Sequence, residues 1–338
     1  VTLTRAAALR LFGAGAGAAM LGLPSRAPAA SQPFGVLQRV SNGPVLAPRG
    51  TGFESAGVFN PSAVRTPDGV TLLYRAQDKA GTSRIGLATS PDGLRFTRRE
   101  RPVLVPEAPY EFQGGVEDPR LVLIDGTYYL TYTGYDSVNQ IAQLCMAMST
   151  DLVRWQRVGP IMPANRGTWQ VHWTKSGAIV PQKIGGRWWM YYLGDAPYDP
   201  PGQMGLAVSD DLIRWKDATP EPVLRTRPRM FDSRVAEPGP APLVTDEGIL
   251  LIYNGADDGL VYSPGWALFD KTDPTKLLAR ASTPVFAAYE PWERIGQVPN
   301  VVFVEGLVRD GDRLTFYYGA ADTNIGAAVT TLRHGWLG

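Results

Sequence analysis

The sequence predicts an all-β fold, a five-bladed β-propeller forming a single domain preceded by a signal peptide, and three observations carry that expectation. A tyrosine-to-aspartate signature recurs as Tyr74-Arg-Ala-Gln-Asp78, Tyr132-Thr-Gly-Tyr-Asp136, Tyr192-Leu-Gly-Asp195, Tyr253-Asn-Gly-Ala-Asp257 and Tyr318-Gly-Ala-Ala-Asp322, with Asp-to-Asp steps of 58, 59, 62 and 65. Each copy keeps one order: a polar entrance, an apolar strand, a Gly-bearing turn, an aromatic strand ending in the Asp, then a strand of small and apolar residues. In the first three copies an Asp turn leads on to a fourth strand, at Asp92-Gly-Leu-Arg-Phe96, Asp151-Leu-Val-Arg-Trp155 and Asp211-Leu-Ile-Arg-Trp215. Composition agrees, since 37 Gly, 29 Pro and a rich aromatic set (11 Phe, 14 Tyr, 9 Trp) supply turns and strand faces. Repeats that cannot bury both faces alone must stack, which favours a propeller over two stacked sandwiches.

Residues 1–30 have the shape of an export signal. Arg5 and Arg10 precede the small and apolar run Leu11 to Leu23, and Ala27-Pro28-Ala29-Ala30 offers small residues for cleavage. Thirteen residues are too few to span a bilayer as a helix, so no stable membrane insertion is expected after signal removal. The segment resembles an incomplete twin-arginine signal, with Ala6 where a second Arg would stand, and implies a periplasmic or extracellular protein. Residues 31–57 form an irregular lead-in able to supply a closing strand for the last, truncated repeat. Residues 58–338 hold the propeller, the expected catalytic domain.

Loss of residues 1–29 removes Arg5, Arg10 and Arg26 and no acid, leaving 33 − 3 = 30 basic against 32 acidic groups. That balance speaks against a nucleic-acid partner. Cys145 is the only cysteine, lies in the apolar run Ile141 to Met148, and reads as a buried structural thiol.

In a propeller the first strand of each blade lines the central funnel, so its polar entrances should converge. They are Asn60, Asp118, Lys175-Ser176, Glu237 and Asn300. Amides, carboxylates and an ammonium in one mouth suit a polyhydroxylated ligand, because they supply directional hydrogen bonds. Arg75, Gln77, Arg120, Trp173, Asp232 and Arg234 flank them and can stack or make bidentate bonds. Asp118 and Glu237 are the expected catalytic pair. Glu117, on the opposite face of a regular strand, is a supporting group. The five repeated acids Asp78, Asp136, Asp195, Asp257 and Asp322 read as turn caps. With His172 and His334 the only histidines, no histidine metal cluster can form, and no metal or cofactor is expected.

Gly114-Gly-Val-Glu-Asp-Pro-Arg120 followed by Tyr128-Tyr-Leu-Thr-Tyr-Thr133 resembles glycoside hydrolase family 130, the mannoside phosphorylases and related mannosidases. The resemblance extends through Val58-Phe-Asn-Pro-Ser-Ala63, Lys175-Ser-Gly-Ala-Ile179, Phe231-Asp-Ser-Arg234, Glu237-Pro-Gly-Pro240, Asp273-Pro-Thr-Lys276 and Gly296-Gln-Val-Pro-Asn-Val-Val-Phe303. It implies a five-bladed propeller and Asp118 as general acid of an inverting mechanism, working through a sugar hydroxyl. Phosphorylases of the family bring arginines and a histidine to phosphate. Here Ser137-Val-Asn-Gln-Ile-Ala142 holds no Arg and Trp189 to Asp195 no His, which ranks three functions. First comes an exported inverting glycosidase acting on β-mannosides or related oligosaccharides, with Asp118 as acid and Glu237 activating water. Second is a β-mannoside phosphorylase with inorganic phosphate as partner, and third a non-catalytic glycan-binding propeller.

Overall fold

Aromatic and β-branched runs separated by Gly, Asn and Asp turns form twenty-one strands among the described residues of the computed structural model, which are 32–163, 169–334 and 336. The expected export signal, residues 1–30, lies outside them. The strands group into five antiparallel units. The first is β2 (Gly57–Thr66), β3 (Gly69–Gln77), β4 (Ser83–Ser90) and β5 (Thr97–Arg98). The second is β6 (Gln113–Ile124), β7 (Thr127–Asp136), β8 (Ile141–Ser149) and β9 (Gln156–Met162). The third is β10 (Thr174–Ile179), β11 (Trp188–Asp195), β12 (Gly202–Ser209) and β13 (Lys216–Asp217). In the fourth, β14 (Val235–Pro238) and β15 (Leu243–Thr245) together act as one interrupted inner strand against β16 (Gly248–Ala256), followed by β17 (Tyr262–Phe269) and β18 (Leu277–Arg280). The fifth is β19 (Val302–Asp310), β20 (Arg313–Ala320) and β21 (Asn324–Thr331).

The last unit lacks a fourth strand of its own, and the lead-in supplies it. β1 (Gln38–Arg39) pairs antiparallel with β21, Gln38 opposite Val329 and Arg39 opposite Ala328, which covers an edge that would otherwise be open. The inner strands touch in turn, β2 to β6, β6 to β10, β10 to β14, and β19 back to β2, while β16 and β17 of the fourth unit touch β19, so the units close into a ring of five blades.

Alternation along the strands gives each blade two apolar faces, one for each neighbour. Leu72 joins the cluster shared with β19 to β21, while Leu73 joins the cluster shared with β6 and β7. Leu250 and Leu251 likewise face opposite neighbours. The core is therefore five clusters between blades, which excludes stacked sandwiches. Cys145 is free and buried in one of them, and burial pushes its thiol up to about 12.

A second repeated device braces each blade from outside. The signature tyrosine hydroxyl meets a carboxylate, and in the first, second, fourth and fifth blades that carboxylate is buried and a cation on or near the outer strand completes it. Tyr74 meets Glu54 with Arg98, Tyr132 meets Glu111 (3.0 Å) with Arg157, and Tyr318 meets Glu293 (2.8 Å) with Arg39 of β1. In the third blade the carboxylate is Asp217 of β13 itself, and Gln170 shares it with Tyr192. In the fourth, Tyr253 donates to Asp232 at 2.7 Å, and Arg227 and Arg280 pair with it at 2.7 and 2.6 Å. Asp232, expected to hold a substrate hydroxyl, is this brace: it is wholly buried and its charge is met within the blade.

Candidate active site

The inner strands do not run straight through the funnel. Asn60, Asp118 and Ser176 have φ of 48°, 52° and 62°, and the ladders slip a register at these points, between Phe59 and Pro61, Glu117 and Arg120, and Lys175 and Ala178. A side chain displaced by a bulge is re-aimed, and left-handed backbone at non-glycine residues costs about 1–3 kcal/mol each, a pattern that clusters at functional sites. Three such residues from three blades point to one site.

That site is a cavity of about 280 Å³, near the lower end of the range for small-molecule pockets. One wall is polar, with Asn60, Arg75, Asp118, Lys175, Glu237 and Asp322. The other is apolar, with Tyr262 and Phe303 in ring contact at 5.8 Å and with Leu260, Val298 and Val301. A ring that has hydroxyls on its edges and C–H groups on its faces suits this division.

Arg75 is the electrostatic centre of the polar wall. Its guanidinium lies 4.8 Å over the Phe59 ring, pairs with Glu117 at 2.5 Å, and donates to Asp118 at 3.2 Å. Both neighbouring acids thus reach one arginine, because the bulge removes the alternation that would have put Glu117 on the far face. Glu117 also accepts from Ser83 and lies beneath the cavity, supporting Arg75 rather than lining the site. Burial raises the Glu117 carboxyl, with Arg75 opposing. Burial also pushes Asp118 upward, but Arg75, Lys175 and Arg120 outweigh it and hold Asp118 below the usual carboxylate range.

Glu237 accepts from the Ser176 hydroxyl, so blades three and four meet there. Its negative charge is the main reason the Lys175 ammonium is held above its ordinary value, and Lys175 stays fully charged. The lysine also lies 5.6 Å from the Trp173 ring, so Trp173 stands behind Lys175 and does not line the cavity.

Four other expected residues take different places. Arg120 is 2 % exposed and faces the propeller axis, paired with Glu305 at 2.7 Å and donating to the Pro238, Gly239 and Asp118 carbonyls. Gln77 donates to the Gly81 carbonyl in a hairpin. Arg234 pairs with Asp199 at 3.0 Å, both well exposed. Asn300 precedes the strand and acts through its backbone, its carbonyl accepting from the Tyr262 amide. His172 caps nothing in the cavity; its Nδ1 lies 2.8 Å from Asp195.

The fifth entrance is Glu305, where the ladder slips between Val304 and Gly306. A sequence signal for it exists: Asn60-Pro, Asp118-Pro, Ser176-Gly, Glu237-Pro and Glu305-Gly are all polar residues followed by Pro or Gly. Asp322 is the other residue missed. Asp78, Asp136 and Asp257 do cap turns by accepting backbone amides two to four residues on, whereas Asp195 is buried and accepts the amides of Val171, His172 and Trp173 in the segment before β10. Asp322 instead enters the cavity, and burial, opposed by Arg75 and reinforced by Asp118, pushes it up to about 6.

Residues 36–334 match the family model for glycoside hydrolase family 130, described as beta-1,4-mannooligosaccharide phosphorylase. The chain is 37 % identical over 306 residues to a 1,2-beta-oligomannan phosphorylase of Thermoanaerobacter sp. (strain X514), covering 88 % of this chain and 98 % of that one. It resembles the Listeria innocua beta-1,2-mannobiose phosphorylase in complex with beta-1,2-mannobiose (TM-score 0.78, 25 % identity, 87 % of this chain and 96 % of that one). A third similar structure was presented as showing that this family of mannoside phosphorylases contains glycoside hydrolases that target beta-1,2 mannosidic linkages in Candida mannan (TM-score 0.78, 30 % identity, 93 % and 98 % covered).

Proposed function

The chain belongs to glycoside hydrolase family 130, and from that premise we propose that it cleaves β-mannosides, β-1,2-linked ones foremost, by transferring the mannosyl group to inorganic phosphate with inversion. The observation that carries this reading is Asp118 and a fully charged Lys175 on one cavity wall, in a chain whose relatives of nearly equal length are phosphorylases. The order of preference drawn from the sequence is thereby reversed.

In this reaction a phosphate oxygen attacks the anomeric carbon as the bond to the leaving oxygen breaks. The leaving oxygen takes a proton that originates at Asp118 and passes through a sugar hydroxyl. Phosphate beside Lys175 brings negative charge next to the cations that hold Asp118 low, so its arrival raises the Asp118 carboxyl and supplies the protonated acid. Arg75 and Asn60 bind sugar hydroxyls, and Tyr262 and Phe303 face the apolar side of the ring.

Hydrolysis is a second reading, favoured by Glu237, which shares the cavity with Asp118 and is oriented by Ser176. A water activated by Glu237 would then replace phosphate as nucleophile. The export expected of residues 1–30 points the same way, since a sugar phosphate made outside the cytoplasm is hard to recover. Proton NMR of β-1,2-mannobiose incubated with and without inorganic phosphate separates the two. Mannose 1-phosphate formed only with phosphate is the expected result, and free mannose at equal rates in both would establish hydrolysis.

A further inference from the structure

Glu305 is wholly buried on the propeller axis below the cavity, in a position given no role by the chemistry above. Its Oε1 accepts from the Asn60 amide at 3.1 Å and meets Arg120 Nη2 at 2.7 Å, while its Oε2 is buried without a hydrogen-bond partner. Arg120 in turn donates through Nη1 to the Asp118 carbonyl (3.2 Å), and through Nη2 and Nε to the Pro238 (2.9 Å) and Gly239 (3.2 Å) carbonyls just after Glu237. A single carboxyl oxygen therefore joins three of the inner strands that carry cavity groups: β2 with Asn60, β6 with Asp118 and β14 with Glu237. Val304, the residue before it, is fixed by both amide atoms of Asn254 on β16, at 2.8 and 2.9 Å, so the hub has a rigid mount.

We propose that Glu305 is the positioning residue of this reaction centre, its Oε1 clamping Asn60 and the Arg120 fork together and thereby setting the left-handed turns at Asn60 and Asp118 and their placement against Glu237. The proposal deepens the functional reading above and rests on it for its kinetic test. Two observations support the clamp. The unpartnered Oε2 is where a carboxyl proton would reside. Burial, opposed by Arg120 and reinforced by Asp118 and Glu237, raises Glu305 to about 8, well above the usual carboxylate range, and with or without its proton the Oε1 acts as acceptor. The charged groups facing it are these three, Arg120 and Asp118 from β6 and Glu237 from β14. A glutamine there reproduces the same shape and acceptor.

The test compares Glu305→Gln, Glu305→Leu and the double variant Arg120→Met/Glu305→Leu. Leucine alone takes from the buried Arg120 its nearer carboxylate, leaving Glu237 at 3.7 Å, and should lower the melting temperature. Replacing both partners of a buried pair with apolar groups costs less than removing one, so the double variant should melt above the leucine variant, though it frees the carbonyls that Arg120 serves. The glutamine variant is expected to keep kcat within a few-fold. The double variant should regain part of the melting temperature lost in the leucine variant yet stay about a hundredfold down in kcat, with a much smaller change in KM, since small misplacements of reacting groups cost about that much. A double variant that regains kcat together with stability would reduce the pair to structural support and overturn the proposal. So would a folded glutamine variant as inactive as the leucine one. Crystal structures of the glutamine and double variants supply a readout that needs no substrate, should the wild type prove inactive on mannosides. Asn60 and Asp118 should shift relative to Glu237 in the double variant and stay in the glutamine one; unmoved residues in both overturn the clamp.

Discussion

Asp118 and Asp232 are both buried aspartates within reach of arginine, yet they occupy opposite kinds of environment. Every partner of Asp232 belongs to the same blade or its connecting loop: Tyr253, Arg227 and Arg280. Its charge is met and its side chain is wholly buried. The two strongest partners of Asp118 come from other blades, Arg75 from the first and Lys175 from the third, ahead of Arg120 on its own strand, and its side chain faces open space. Charge balanced inside a blade holds that blade together. Charge balanced between blades, at the rim they share, leaves room for a ligand to enter the balance.

That distinction breaks most visibly by mutation of the two acids. Asp118→Asn should lower kcat on the order of 10³-fold, as expected for a lost general acid, with a melting temperature near the wild type because Arg75 keeps Glu117. Near-normal turnover would remove Asp118 from the mechanism. Asp232→Ala should do the reverse. It takes the carboxylate from the half-buried Arg227 and the largely buried Arg280, costs about 3 kcal/mol, and lowers the melting temperature by about 5 °C, while kcat per folded molecule is kept. A kcat collapse in the folded Asp232 variant, measured below its transition, would erase the contrast.

Sequence made the ring legible because the tyrosine-aspartate signature is local and repeats, and the short last copy announced a borrowed strand, found as Gln38–Arg39. Asn60, Arg75, Asp118, Lys175 and Glu237 were legible because entrances of equivalent strands must converge. Arg120 and Asp232 were not, since a sequence shows that an acid or a base is present but not whether its counter-charge comes from the same blade. Glu305 escapes because the sequence places the fifth polar entrance at Asn300, five residues before the bulge. Asp322 escaped because three equivalent acids, Asp78, Asp136 and Asp257, cap turns, and only the tertiary arrangement of the fifth copy turns it inward.

Lys175→Met tests the shared wall more gently. It removes the ammonium that the proposed phosphate would meet, so the KM for phosphate should rise about tenfold or more while binding of mannose, measured calorimetrically, changes little. An unchanged phosphate KM would place the anion elsewhere and favour water as nucleophile.

The smallest expected effect belongs to Asp322, and it sharpens the comparison because this acid sits in the cavity without an arginine bonded to it. Burial raises it to about 6, above its ordinary value, so the folded protein holds this proton more tightly than the unfolded chain does. Its contribution to stability is therefore present below about pH 4 and is lost as pH rises to about 6. In activity the same titration adds a negative charge beside Asp118 and Glu237, which opposes an incoming phosphate. The wild-type KM for phosphate should climb a few-fold as pH passes from about 5 to 7, after correction for the titration of phosphate itself. Asp322→Asn cannot gain that charge, and its profile should stay flat over the same interval. Parallel profiles for the two proteins would show that Asp322 is already ionised at pH 5 and that its charge, like that of Asp232, is fully met by the protein.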